Sequence, residues 1–290
     1  MPEAPEPPPP PAPAPAPAPS GPSLASAALA QYYRRLQADL LAQGLLRTDG
    51  GGPDTPFTET TLARDFERIA LSTEYAADGD TLVRQETSVA LRRWERPVRM
   101  EIEFGASVSA DQRTRDTNAV GAYAARLSRV TGHPISRVDE GGNFQVLFLS
   151  EDDRAGFEPR LRQLAPGIAE SSVRAFLNPT RSTLCLVIAF SDGTSDGYTR
   201  AVALIRAEHP DLLRLACIHE ELAQGLGLPN DSRQARPSIF NDDDEFGLLT
   251  THDEMLLRIL YDARLRAGMS PEDAAPIARE IATELLGGSG

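Results

Sequence analysis

From Ser23 onward apolar residues recur at helical spacing through SLASAALAQYYRRLQADLLAQGLL, a pattern that predicts an amphipathic helix ending near Gly44. Beyond the loop RTDGGGPDTP a second helix is predicted over about 58–71 (TETTLARDFERIAL), opened by Thr58 with acidic residues in its first turn. Residues 81–105 alternate polar and apolar, and RPVRMEIEFG within them reads as a strand, since successive side chains of a strand point to opposite faces. A helix over about 110–130 follows, then strand material at 134–138 and 143–150. Residues 151–182 read as irregular or helical. Two apolar strands are predicted at 183–190 and 199–208, on either side of the glycine-punctuated turn SDGTSDG. Pro210 opens a long helix, PDLLRLACIHEELAQGLGL, and two final helices are expected over about 251–262 and 271–286.

This order of elements predicts an α+β fold with a small mixed sheet and no internal repeat. The first two helices read as an N-terminal helical cap over 23–80, packed on a domain spanning 81–290. Residues 1–22 stand apart, holding 12 of the 24 prolines. Proline fixes φ and removes a donor, so this tract is expected to be an extended polyproline II spacer, roughly 60 Å long at about 3.1 Å per residue. A spacer implies something to be spaced from. The expectation is an extracytoplasmic domain (periplasmic, lipoprotein or secreted) whose export signal or lipid anchor lies upstream of this chain. Any membrane association would run only through that missing N-terminal anchor, and a cytoplasmic low-complexity tail is the alternative.

Charge changes the picture by exclusion. With 42 acidic and 29 basic residues the formal charge is −13, which repels phosphate backbones and argues against nucleic acid as a partner. Every basic residue is arginine. No run of about 18 apolar residues is present, so no membrane-spanning helix is predicted. Cys185 lies in an apolar strand and Cys217 on the helix after it; a strand-to-helix disulfide and two buried free thiols are both open. Two cysteines do not make a structural zinc site on their own.

The candidate chemistry lies on the helix that carries CIHEELAQGLGLPND. His219-Glu220 imitates the start of an H-E-x-x-H zinc motif, but Ala223 stands at i+4, and Gln224 at i+5 is about 140° around the helix. Sliding one residue gives Glu220, Glu221, Gln224, Gly227 and Asn230, an E-E-x-x-Q-x-x-G-x-x-N pattern. It resembles the metzincin signature H-E-x-x-H-x-x-G-x-x-H with all three histidines replaced. That resemblance puts Glu221 at the general base and Gly227 where the helix turns back toward the third ligand. Ser238-Ile239-Phe240-Asn241 resembles the turn beneath the metal, with Phe240 in the place of its methionine, and LLTTHDEMLLRILY resembles the closing helix. Thr251 to Glu254 reads as that helix's capping box. The resemblance therefore implies a zincin-like core, a small mixed sheet plus this signature helix, over about 97–262. The stretches LLRTDGG, FERIAL and EELAQGLGLPNDS also resemble an uncharacterised bacterial family known only as a domain of unknown function and found in exported proteins and lipoproteins.

One carboxylate and two amides make a poor zinc site, because zinc prefers imidazole and thiolate. Glu220, Gln224 and Asn230, with Asp231 as a further ligand, offer only oxygen and would suit Ca²⁺ better. Without a strong Lewis acid Glu221 has no activated water to deprotonate. The expectation is thus a catalytically inactive zincin-like domain, a pseudoenzyme with no cofactor, in which these side chains form a polar network and the cleft binds a peptide, glycan or protein partner, or the domain serves as a structural envelope or surface protein. The alternative is an active metallopeptidase-like hydrolase holding zinc or calcium, with Glu221 as base. His219 is expected to be a hydrogen-bonded core histidine. His133, His209 and His252 read as a turn residue, the start of the signature helix and a first-turn residue. The acidic run 241–245 reads as a solvated loop.

Overall fold

The computed structural model describes residues 21–78, 81–193, 196–241 and 243–287, of which 74–78 and 81–86 are described by their backbone. The polyproline segment expected at the N-terminus lies outside the described residues apart from Gly21 and Pro22. In chain order the elements are α1 (Leu24–Ala42), α2 (Glu59–Ala70), β1 (Ser72–Asp78), β2 (Thr81–Ser88), β3 (Val98–Phe104), α3 (Ala110–Thr131), β4 (Ile135–Val138) and β5 (Phe144–Leu149). Three short helices follow, α4 (Glu151–Arg154), α5 (Glu158–Leu164) and α6 (Glu170–Leu177). The chain continues through β6 (Cys185–Ser191), β7 (Tyr198–Arg206), α7 (Asp211–Gln224), α8 (Thr251–Leu260) and α9 (Pro271–Gly287). Among the described residues no helix is long and apolar enough to cross a membrane.

The main sheet has the strand order β4-β3-β5-β7-β6. β4, β3, β5 and β7 run parallel, and β6 pairs antiparallel with β7 to end the sheet. The mixed sheet expected from the sequence is therefore present, and its two faces follow the period-two pattern of its strands. Phe144, Val146 and Phe148 of β5, with Ala201, Ala203 and Ile205 of β7, enter the larger core together with residues of α3 and α7. Leu147, Leu149, Val202 and Leu204 point the other way, onto Leu161 of α5 and Val173 and Phe176 of α6. Burial on both faces explains why β5 reads as a nearly continuous apolar run, broken only by buried Gln145. β6 is half-buried along its whole length, as expected of a strand with one edge unpaired in the sheet.

Several elements differ from the sequence reading. Strand β1 and its antiparallel pairing with β2 were not anticipated; STEYAAD has too short an apolar pattern to declare a strand alone. α2 adds Leu62, Phe66 and Ile69 to the main core and contacts α8 and α9. The capping box of α8 is one residue earlier than the sequence suggested: Thr250, not Thr251, is the N-cap and is paired with Asp253, not Glu254. Two adjacent threonines followed by two adjacent acids fit either register, and burial of Thr250 and Asp253 decides between them.

Candidate functional site

Helix α7 is fixed at several points. Arg214 donates from Nε to both carboxylate oxygens of Asp116 on α3, at 2.8 and 2.9 Å, and from Nη1 to the His209 carbonyl. This pair is buried, and burial pushes the Asp116 carboxyl up in spite of the Arg214 guanidinium beside it. At the other end of α7 the last carbonyls lack intrahelical donors. Trp94 Nε1 donates to Gly225 O at 2.8 Å and Tyr261 Oη to Leu226 O at 2.9 Å. Gly227 then turns the chain with φ of +128°, and a Cβ there would lie 2.2 Å from Arg92 O, so only glycine fits.

His219 is a core histidine, as expected. Its ring stacks on Tyr123 with centroids 4.0 Å apart, and Nδ1 accepts from Leu249 N at 3.0 Å. Burial, reinforced by Arg126, lowers its pKa to about 3, which keeps the ring neutral and able to accept. His133 Nε2 bonds the Arg96 carbonyl, and His209 lies edge-on to Tyr33. His252 is wholly buried, with Nε2 3.2 Å from Asp65 of α2 and Nδ1 3.8 Å from Asp253. Neither nitrogen meets hydrogen-bond geometry, so the contact is electrostatic and is an ion pair when the ring is protonated. None of the four histidines lines the cleft described next.

That cleft, about 770 Å³ in volume, lies between β6 and α7 and is closed at one end by residues of the 229–247 loop. Thr183 to Ile188 form one wall; Leu213, Ala216, Glu220 and Gln224 of α7 form the other. Cys185 and Cys217 are joined as a disulfide with Cα atoms 5.9 Å apart, so both walls are covalently linked and neither cysteine is a free thiol. Four of the five residues singled out for chemistry face this space: Glu220, Glu221, Gln224 and Asp231. Gln224 Nε2 donates to Asp231 Oδ1 at 3.1 Å. Asn230 does not join them. Its side-chain amide donates to Arg68 O and its backbone to Ile69 O, so it ties the loop to the end of α2.

Glu221 is 3% exposed, yet it borders the cleft and its Oε2 has no hydrogen-bond partner among the described residues. Burial first, then the neighbouring charges of Glu220 and Asp231, push its pKa well above the carboxylate range. Ligand atoms of Cys185, Glu220 and Glu221 lie within 4.8 Å of one another, but a sulfur already bonded to Cys217 is not a thiolate donor. The remaining side-chain donors lining the cleft are oxygens of carboxylates, amides and hydroxyls. That set does not fit zinc, which the metzincin resemblance would require.

Below the cleft the chain passes through a cis Arg236–Pro237 bond into Ser238–Asn241. Asp253 accepts from Ser238 Oγ, Ile239 N and Thr250 N, pinning this turn to α8. Phe240 is fully buried in the main core. Within the acidic run, Asp242 lies outside the described residues, and Glu245 is not simply solvated because it pairs with Arg47 and Arg236. The segment 192–197 joins antiparallel neighbours, the hairpin predicted there, with 194–195 outside the described residues.

Fold and site together define an α+β domain with an acidic cleft between an edge strand and a pinned helix. The chain belongs to the family described as protein of unknown function (DUF2927), whose family model matches residues 59–280. No curated protein and no solved structure matches it.

Proposed function

We propose that this is a zincin-like domain without metallopeptidase activity, whose β6–α7 cleft binds an extended polypeptide. The observation that carries the reading is the edge strand. β6 offers the unpaired backbone groups of its outer edge beside a cleft of about 770 Å³, an arrangement in which an added strand gains main-chain hydrogen bonds while pockets read its side chains. The zincin-like part is supported by a mixed sheet whose antiparallel edge strand faces the signature helix, by the Gly227 turn and by the buried Phe240 turn under the cleft. Loss of hydrolysis follows from the donor set: no imidazole among the lining residues, both cysteine sulfurs locked in a disulfide, and a Glu221 carboxyl whose pKa burial raises and whose Oε2 has no partner among the described residues. A disulfide across the cleft also supports placement outside the cytoplasm, since such bonds persist in oxidising compartments.

Incubation of the folded protein with unstructured peptides, with and without added zinc or calcium, tests this reading by mass spectrometry. Intact peptide in every arm is the expected result. Cleavage that is abolished by a chelator and by Glu221→Gln would establish the metallopeptidase instead.

A further inference from the structure

In a chain with 29 arginines, none is among the described residues that line the cleft. Its acidic members are Glu220, Glu221, Asp231 and Asp244. The rest of the lining is largely aliphatic, including Leu184, Leu186 and Leu213. A cleft with apolar walls and carboxylates at one end matches a side chain with a long hydrocarbon stem and a cationic head. The buried Oε2 of Glu221, without a partner among the described residues, supplies an independent sign of an absent partner, because a buried acceptor left without a donor is costly.

Resting on the peptide-cleft reading above, we propose that the polypeptide bound here presents an arginine or lysine side chain, with its cationic head among Glu220, Glu221 and Asp231. The stem lies along the aliphatic wall, and the backbone of the same residue runs beside β6. Charge complementarity selects this occupant over acidic or neutral peptides. A bare divalent cation would meet the same carboxylates but leave the aliphatic walls without a role.

The test uses fluorescent octapeptide mixtures that differ only at one central position, fixed as arginine, lysine, citrulline or glutamate, titrated with the intact disulfide-bonded protein. Binding of the arginine and lysine mixtures at least tenfold tighter than citrulline is expected, as for about 1.4 kcal/mol or more from a charge-assisted contact. That gain should vanish in Glu220→Gln and in Asp231→Asn. Should either variant fail to fold, the arginine-to-citrulline comparison on the unaltered protein decides the matter alone. Equal binding of all four mixtures overturns the basic-residue proposal and leaves the peptide cleft standing; no binding by any mixture overturns both. Stoichiometric calcium or zinc uptake that displaces the arginine mixture would identify a metal site and overturn the proposal.

Discussion

Cys185 on the edge strand is bonded to Cys217 on the helix opposite, so the two walls of the cleft form one covalent unit. The bridge closes a loop with a sequence separation of 32, for which chain-entropy reasoning gives about 3–4 kcal/mol of stabilisation. The double variant Cys185→Ala, Cys217→Ala should lose about that much in a urea titration, and a reductant should shift the native midpoint the same way. An unchanged midpoint on confirmed reduction would mean that the bridge does not hold the walls.

His252 predicts a dependence on pH. Burial opposes its charge, but Asp253 and Asp65 outweigh burial and raise its pKa above the ordinary 6.5. A histidine raised on folding contributes its full stability below the unfolded value and loses it as pH climbs through the folded value. His252→Ala removes the cation beside buried Asp253 and leaves Asp65 only the longer contact with Arg68, and should cost about 3 kcal/mol near pH 6 and less at higher pH. Melting curves of both proteins across that range check the sign.

Glu221 runs in the opposite sense to an ordinary paired carboxylate. Its raised pKa means that the folded protein holds a proton the unfolded chain has released, so stability falls as pH rises above the unfolded value of about 4.5. Glu221→Gln removes the titrating carboxyl while keeping the shape. It should raise stability by about 1–3 kcal/mol at neutral pH, the cost of a poorly satisfied buried polar group, with the gain closing toward pH 4. A loss of stability at neutral pH would show that the ionised form has a partner.

Gly227→Ala places a Cβ against Arg92 O in a backbone region that side chains rarely adopt. A destabilisation of at least about 2 kcal/mol is expected, read as a lower denaturant midpoint. Gly287→Ala, at a position with open space, serves as the control.

Much of this fold was legible because its strands and helices carry clean periods. TLCLVIAF and TRAVALIRAE showed strands, and the EELAQGLGLPND register put Glu220, Glu221 and Gln224 on the face that meets the cleft. Asn230 escaped the pattern because spacing cannot tell which way a loop residue turns once a helix has ended; it faces α2 instead. Trp94 and Tyr261, which cap α7 from 131 and 35 residues away, gave no local signal. The same holds for Asp65 and His252, distant in sequence and in contact only through tertiary packing of α2 on α8. The cysteine pairing was left open by sequence and is settled by the proximity of β6 and α7.

Hydrogen exchange over residues 183–191, with and without a saturating mixture of arginine-containing octapeptides, tests the cleft most directly. An added strand would hydrogen-bond the free edge of β6, so the account predicts slowed exchange there and peptide recovered intact. Unchanged exchange in β6 with protection elsewhere, or peptide recovered in fragments, would contradict it.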